Sequence, residues 1–469
     1  MRALLPLAVV AALAASCKEA ATSAPTSTPD GATTAPADAG PPPLDPEIVA
    51  IRDAVSGEHV LSTITSLVSF GTRNVCSEQA SKTHGIGAAR DFLRDQLSAV
   101  PGLDVRLHEF PQAGCAGATA PTTQNNVVAT LAGNSKSRLI VVGGHYDSRT
   151  VNVVDGTSPA PGANDSGSQS AVVVEVARVL AGHSFEATLV FVTFAGEEQG
   201  LVGSAAMVKD LSTLFPDGKV EAMLNCDIVG GDATANDAAA LQRFRLFSPG
   251  TPREVGKATP DGTPDDTSPS RGLMRFVGTW GARYVPSMTM LPQLREDRPG
   301  RGGDHESFLA AGSPAVRFIE ANETIAHQHS EGDTLANMTP AYAARMAQVV
   351  ATTAAALARA PLPPSGLTTK SSVESLSVAF TGSASANVDH YVVAVRDASE
   401  NLYHARVNVR TRSETIARTA LSVGETFYLS VAAVDAAGHE SLFAYPELRC
   451  DSTGCAAPAD ANDVTAVTK

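Results

Sequence analysis

The alternation of strand-like and helix-like segments through residues 48–358 constrains the fold more than any other feature of this chain. Short apolar runs that suit buried strands occur at residues 139–142, 188–194 and 220–226, and segments with apolar residues at helical spacing lie between them. Strands that take turns with helices in this way form a sheet whose two faces are covered by helices. The sequence therefore predicts an α/β domain over residues 46–360, built on a mainly parallel mixed sheet sandwiched by helices.

A second, smaller domain is predicted after that sheet. The Pro-rich stretch at residues 361–364 is typical of a linker, and short alternating segments that suit strands follow it. These segments predict a small all-β sandwich over residues 361–448, and its segment 426–441 resembles the late strands of a fibronectin type III domain. We expect residues 449–469 to form a flexible tail.

Residues 1–17 have the layout of a secretory signal peptide. Arg2 precedes an apolar run that is too short to cross a membrane comfortably, and small residues then lead to Cys17. The pattern resembles a bacterial lipoprotein signal in which Cys17 is lipidated and becomes the mature N-terminus, although Ala14 stands where Leu is usual. An ordinary cleaved signal is the alternative. The Ala/Thr/Pro-rich residues 18–45 hold too few large apolar side chains to fold, and they predict a disordered tether.

The net charge of the chain bears on its binding partners, and its cysteines bear on the compartment in which it works. A formal net charge of -14 without runs of Lys or Arg argues against nucleic acid and anionic membrane surfaces as partners. The lipid anchor is then the only expected membrane contact, and we expect a monomer. Cys76 with Cys115, and Cys450 with Cys455, could form disulfides in an oxidising compartment, whereas Cys226 is expected to be a buried thiol. We therefore expect an extracytoplasmic protein, either a bacterial lipoprotein of the outer membrane or cell surface, or a secreted one.

Two clusters of polar residues directly follow predicted strands, where α/β enzymes assemble their sites. Residues two apart at an extended strand end point the same way, so Asp147 can hydrogen-bond one nitrogen of His145 and leave the other for a metal. Glu197 and Glu198 follow a buried apolar strand, where two unpaired charges would be costly and a divalent ion would remove that cost. One acid can then bind metal while its neighbour activates water.

Three further clusters complete the set. They contain Asp165 in a Gly-Ala-Asn-Asp-Ser-Gly loop, Asp227 after another apolar strand, and the histidines and acids of residues 326–334. Each cluster alone also has a structural explanation: the His145 pair could be solvated at the surface, and Asp165 could cap the helix that follows it. Together the clusters supply ligand types that suit a hydrolytic site with two zinc ions.

The order HxD, GANDxG, GEE, NxD and a late histidine resembles the co-catalytic di-zinc aminopeptidase family, to which glutamate carboxypeptidases and glutaminyl cyclases are related in fold. The resemblance covers residues 48–358. It implies a peptidase that takes peptide substrates and holds two zinc ions. Carried over residue by residue, it implies one zinc on His145 and Asp227, the other on Glu198 and His329, Asp165 bridging both, Glu197 as the general base, and Asp147 and Asp333 orienting the histidines.

Several positions depart from the family pattern. Gln328 stands where relatives often carry a tyrosine that helps the oxyanion, so its amide is a possible replacement. His327 is a second choice for the late ligand, because two histidines flank Gln328. Arg301 lies one position from a frequent substrate-contacting arginine. Asp304 could be a helix cap or a site residue, and Ser166 replaces a second acid that often follows a cis bond in relatives.

The sequence thus predicts an extracytoplasmic zinc-dependent aminopeptidase that cleaves N-terminal peptide bonds with water activated by Glu197. A carboxypeptidase or a glutaminyl cyclase on the same fold is the nearest alternative. A surface-binding lipoprotein without activity is the alternative from another class, and the retention of Glu197 beside Glu198 argues against it.

Overall fold

The computed structural model describes residues 41–115, 120–249, 268–297 and 301–457. The predicted signal peptide, the lipid anchor and nearly all of the tether lie outside these residues. No helix in the described part of the chain is long and apolar enough to cross a membrane.

The described residues form helices and strands that closely follow the predicted alternation. The helices are α1 (Pro46–Asp53), α2 (Gly57–Ser69), α3 (Gly85–Ser98), α4 (Gln169–Leu180), α5 (Val202–Lys209), α6 (Leu211–Leu214), α7 (Pro269–Phe276), α8 (Ala282–Tyr284), α9 (His305–Ala310) and α10 (Pro340–Arg359). The strands are β1 (Asp104–Gln112), β2 (Thr122–Leu131), β3 (Ser135–His145), β4 (Ala187–Phe194), β5 (Lys219–Cys226), β6 (Arg243–Phe247), β7 (Thr289–Gln293), β8 (Ala315–Glu320), β9 (Ser365–Ser371), β10 (Ser375–Thr381), β11 (Val388–Asp397), β12 (Ala405–Val409), β13 (Ser413–Ala417), β14 (Phe427–Asp435), β15 (Leu448–Asp451) and β16 (Gly454–Ala456). Short helical turns occur at Ala163–Ser168, Ala240–Gln242, Val277–Gly281, Leu335–Asn337 and Arg418–Ala420.

An eight-stranded mixed sheet forms the centre of the α/β domain, which confirms the predicted fold class. Its strand order is β1-β2-β4-β3-β5-β8-β6-β7. The strands β4, β3, β5 and β8 are parallel, and His145 at the end of β3 pairs with Phe194 at the end of β4. Parallel strands that end at the same level bring the residues after them to one edge of the sheet.

Both faces of the central strands are buried, because alternate side chains point to opposite sides. On one face, Ile140 and Val142 belong to the large core that α4 and α10 complete. On the other face, Leu139 and Val141 join a second cluster that includes Phe308 of α9. Burial on both sides explains why these strands appear in the sequence as continuous apolar runs.

The C-terminal module consists of two antiparallel sheets with the strand orders β13-β10-β9 and β12-β11-β14-β15-β16. Its own core includes Val393 and Val431, both fully buried. The module continues beyond the predicted boundary at residue 448, since β15 and β16 form a hairpin over residues 448–456. The predicted flexible tail is therefore wrong for residues 449–456, and the rest of it lies almost wholly outside the described residues.

The cysteines behave as predicted. Disulfides join Cys76 to Cys115 and Cys450 to Cys455, and Cys226 is a buried free thiol. Burial raises the pKa of the Cys226 thiol, so this side chain stays protonated and acts as a small apolar residue.

Buried charges join the C-terminal module to the α/β domain. Glu447 in the module accepts a hydrogen bond from Arg396 at 2.8 Å, and its carboxylate lies 3.4 Å from the guanidinium of Arg275 on α7. Tyr403 donates a further hydrogen bond to Glu447. At the same interface, His439 lies 2.9 Å from Asp45, so the last residues of the predicted tether are part of the folded body. Domains joined by buried ion pairs are expected to move together.

The junction gives a stability prediction. Glu447→Ala should lower the free energy of unfolding by about 3–5 kcal/mol, because it leaves buried guanidinium groups without their shared carboxylate. Chemical unfolding monitored by circular dichroism measures the loss. Glu425→Ala is the control, since that glutamate is exposed in the same module and its loss should cost about 0.5 kcal/mol at most. Equal losses in the two variants would contradict the role of this ion pair.

Candidate active site and metal centre

The ends of the parallel strands carry the polar clusters that the sequence singled out. His145 ends β3, Glu197 and Glu198 follow β4, and Asp227 follows β5. The turn at Ala163–Ser168, which precedes α4, places Asp165 at the same edge of the sheet, and the loop after β8 supplies a histidine. The structure therefore gathers all the predicted metal ligands at one place.

The first group of ligands surrounds His145. Its Nε2 lies 3.6 Å from Oδ1 of Asp227 and 3.3 Å from Oδ1 of Asp165. Glu197 is close as well, with Oε2 3.9 Å from the same nitrogen. His145 is 2% exposed and Asp227 is 3% exposed, so any charge on them is poorly solvated without a partner.

The second group surrounds His329. Its Nε2 lies 3.3 Å from Oδ2 of Asp165 and 3.2 Å from Oε2 of Glu198. The two oxygens of Asp165 thus face two different histidines, which is the arrangement expected of a ligand that bridges two metal ions. His327, the second choice for this position, points away and pairs with Asp232 at 3.0 Å.

These donors fit a pair of zinc ions. Oδ1 of Asp165 and Oε1 of Glu198 are buried, and neither has a hydrogen-bond partner among the described residues. Buried carboxylate oxygens without hydrogen bonds are unfavourable unless a cation compensates them. Imidazole nitrogens together with carboxylate oxygens are ligand types that zinc accepts.

Asp147 supports this arrangement from the side away from the metal positions. Its carboxylate lies 3.5 Å from Nδ1 of His145, and its backbone carbonyl lies 3.1 Å from the same nitrogen. The carboxylate also accepts hydrogen bonds from the backbone N–H groups of Glu197 and Glu198, at 3.3 Å and 3.2 Å. One residue therefore orients the histidine and the loop that bears both acids.

Asp333 has a different role from the predicted one. The sequence suggested that it orients a ligating histidine. In the structure its two oxygens instead accept hydrogen bonds from the backbone N–H groups of Asn164 and Asp165, both at 2.8 Å. Asp333 thus fixes the turn that presents the Asp165 carboxylate. The peptide bond between Asp165 and Ser166 is cis.

Glu197 lies where a general base can act. Burial, together with the negative charges of Asp227, Glu198 and Asp304, raises the pKa of Glu197 well above its usual range. A carboxylate with a raised pKa can take a proton from water and hold it. Asp304 precedes α9 without capping it through its side chain, and burial raises the pKa of Asp304 to about 7.

Gln328 and Arg301, the two predicted substrate contacts, bind each other. Nη1 of Arg301 donates to Oε1 of Gln328 at 3.0 Å, and both side chains donate to Glu323. Arg301 also lies 3.3 Å from Asp297. Both residues line the cavity. Their polar groups bind each other and Glu323, so they connect the segment of Arg301 to the loop that carries His329.

Sequence reasoning missed three arginines. Arg317 is buried on β8 and lies 2.8 Å from Oδ2 of Asp227, and Arg149 lies 2.5 Å from Oε2 of Glu198. Arg73 is fully buried and donates to backbone carbonyls, including that of Gly162 at 2.8 Å. Of the three, only Arg317 could have been found from the sequence. It lies inside an apolar strand, and a buried arginine requires a buried partner.

A cavity of about 560 Å³ opens over the two groups of ligands. Its volume suits a small ligand rather than a folded protein. Besides the metal ligands and Glu197, the lining residues are Arg149, Gly200, Leu201, Ile228, Glu296, Arg301, Gly302, Glu306, Arg317 and Gln328.

Comparison with known proteins gives consistent results. The model of the family described as Peptidase family M28 matches residues 126–354. A probable zinc metalloprotease of Leptosphaeria maculans is 36% identical over 393 residues, which cover 78% of this chain and 90% of the relative. A probable zinc metalloprotease of Pyricularia oryzae is 36% identical over 386 residues and is covered to 76%, as is this chain.

A solved structure shows the same fold. The crystal structure of LapB from Legionella pneumophila superposes with a TM-score of 0.50 at 17% identity, and the match covers 68% of this chain and 77% of that one. The family match ends before β9, so the fibronectin type III resemblance of the C-terminal module stays a prediction.

Loss of the bridging carboxylate should cost metal. Asp165→Ala is expected to lower zinc content from two ions to at most one per chain, because both groups of ligands share this residue. Atomic absorption after dialysis against a metal buffer measures it, and Glu58→Ala, an exposed acid on α2, is the control. Two zinc ions retained by Asp165→Ala would contradict the bridging role.

Zinc binding should also strengthen with pH. Burial lowers the pKa of His329, but Asp165 and Glu198 outweigh it and raise that pKa to about 9. The proton must leave before Nε2 can bind zinc, so the apparent affinity should rise by about tenfold per pH unit below pH 9 and level off above it. Chelator competition at pH 6, 7 and 8 measures this slope. A flat profile would show that His329 is not a ligand.

Proposed function

The chain belongs to peptidase family M28, and on that premise we propose that it is a zinc-dependent aminopeptidase that acts outside the cytoplasm. The observation that carries the proposal is Asp165, whose two oxygens face His145 and His329 while Glu197 lies beside them. This arrangement is suited to the hydrolysis of an amide bond by water. The alternative of a binding protein without activity does not account for the position of Glu197.

The residues of the chain divide the chemistry between them. Zinc ions bound by the two groups of ligands would polarise the scissile carbonyl and lower the pKa of the attacking water. Glu197 takes the proton from that water as its oxygen attacks the carbonyl carbon. Glu197 then donates the proton to the nitrogen of the leaving residue as the C–N bond breaks. Asp147 holds the Glu197 backbone in place during these steps.

The cavity supports action at a free amino terminus. Glu296 and Glu306 line it, and neither carboxylate forms an ion pair or a side-chain hydrogen bond among the described residues, although Glu306 is attracted by the charge of Arg317. Burial and the negative charge of Glu296 raise the pKa of Glu306. A substrate ammonium group would relieve this repulsion, whereas a carboxylate would add to it. A free carboxylate is what a carboxypeptidase would place in its pocket.

The disulfides support the proposed location outside the cytoplasm. The two disulfides indicate an oxidising compartment. The signal peptide and the lipid anchor at Cys17 remain our proposal, and the curated relatives described above come from fungi rather than bacteria.

The proposal is tested with leucine p-nitroanilide and its N-acetylated counterpart, using metal-stripped protein before and after addition of zinc. We expect cleavage only of the free-amine substrate and only with zinc. Equal cleavage of the acetylated substrate would exclude an aminopeptidase. Cleavage of neither substrate, with two zinc ions bound, would favour a carboxypeptidase, a cyclase or a peptidase restricted to dipeptides.

Glu197→Gln tests the base separately. The variant should keep both zinc ions and lose roughly 100-fold or more in kcat, since an amide cannot accept the proton. Turnover near that of the unmodified protein would remove Glu197 from this role. Glu109→Gln is the control, because it makes the same change at an exposed acid on β1, away from the metal centre.

A further inference from the structure

The terminal carboxylate in each group of ligands is paired with an arginine, and the two pairs differ. Arg317 binds Oδ2 of Asp227 at 2.8 Å, while the other oxygen, Oδ1, faces His145. Arg317 and a metal ion can therefore use different oxygens of Asp227. This pair is compatible with a loaded metal centre without rearrangement.

Arg149, in contrast, binds the same oxygen of Glu198 that faces His329 and that a metal ion there would bind. Its Nε lies 2.5 Å from Oε2 of Glu198, and the same Oε2 lies 3.2 Å from Nε2 of His329. Oε1 of Glu198 is buried and has no hydrogen-bond partner in the described part of the chain. A cation held between Glu198 and His329 would lie close to the guanidinium and repel it. Zinc binding is therefore expected to release Arg149 from Glu198.

The released arginine would lie at the mouth of the cavity. The Arg149 side chain is 17% exposed, and Val151, two residues later, is 84% exposed. The segment is held in place because Asn74 and Gln199 both donate to the carbonyl of Val153, at 3.0 Å and 2.9 Å. By contrast, the Arg317 side chain lines the same cavity and is only 2% exposed, so it lies deeper, at the end that we call the closed end.

In an aminopeptidase, the first residue of the substrate fills the closed end and the rest of the chain leaves through the mouth. The residue after the scissile bond therefore passes Arg149. In a dipeptide that residue carries a free carboxylate, and a guanidinium binds carboxylates in two-point geometry. In a longer peptide the same position is an uncharged amide.

We propose that Arg149 binds the free carboxylate of the leaving residue, so that this enzyme acts preferentially on dipeptides. The inference rests on the proposed aminopeptidase function. Arg149 is a specificity-determining residue in this scheme, and it takes no part in the proton transfers of Glu197.

The test compares kcat/KM for leucyl-glycine and leucyl-glycinamide in the zinc-loaded, full-length protein. The unmodified protein should prefer the free acid by about 10- to 100-fold. In Arg149→Gln this ratio should fall to near one. In Arg149→Lys it should lie in between, because lysine keeps the positive charge but cannot donate two parallel hydrogen bonds to a carboxylate. Arg94→Gln is the control, since that arginine pairs with Asp95 on the outer face of α3 and its loss should leave the ratio unchanged.

The outcomes distinguish a role of Arg149 in substrate specificity from a structural role, and they distinguish failure of this inference from failure of the proposed aminopeptidase function. An equal loss on both substrates in Arg149→Gln would show a structural role and overturn the inference. An unmodified protein that cleaves leucine p-nitroanilide but shows no preference for the free acid would overturn it as well, and would leave the aminopeptidase function standing. Cleavage of none of these substrates would overturn both.

Zinc affinity gives a readout that needs no turnover. If Arg149 competes with metal for Oε2 of Glu198, Arg149→Gln should bind its second zinc ion about tenfold more tightly in a chelator competition. Unchanged or weaker binding would show that Arg149 supports Glu198 as a ligand, and would overturn its release to the substrate.

Discussion

The electrostatic cost of burying carboxylates at the ends of parallel strands is the constraint on which the rest of this structure depends. Asp165, Glu198 and Asp227 are largely buried, so water solvates their carboxylates poorly, and each faces a histidine nitrogen. Such a cluster is stable only with cations among its members. Protonated histidines and arginines supply them in the protein without metal, and zinc would replace the protons. The same negative charge that destabilises the cluster makes it a metal site.

The surrounding residues hold the ligands through their backbones. Asp147 binds the N–H groups of the loop with both glutamates, and Asp333 binds those of the turn with Asp165. Arg73 donates to the carbonyl groups of Pro161 and Gly162, which lead into the same turn. Because these contacts fix main chain rather than side chains, the ligands are in position before any metal arrives.

The C-terminal module is a fixed part of this body. Its buried Glu447 holds Arg275 on α7, and α7 leads to β7 and to the rim that contains Glu296 and Arg301. Arg271 on α7 donates to the carbonyl of Leu294 in that rim. The module thereby stabilises the helix from which one wall of the cavity extends. Buried ion pairs and hydrogen bonds therefore link the module to the α/β domain at more than one point.

The sequence by itself determined the order of strands and helices, because periods of two and 3.6 residues and continuous apolar runs report burial locally. The acids after buried strands, Glu197, Glu198 and Asp227, were recognisable because such charges need a partner. Asp165 and His329 entered the predicted site through the resemblance to a known family. Only the tertiary structure decided that Asp333 serves a turn, that Gln328 binds Arg301, and that Arg149 and Arg317 meet different oxygens of their carboxylates. These contacts join segments far apart in the chain, and the geometry of an ion pair follows from how those segments pack and not from the residues beside each charge.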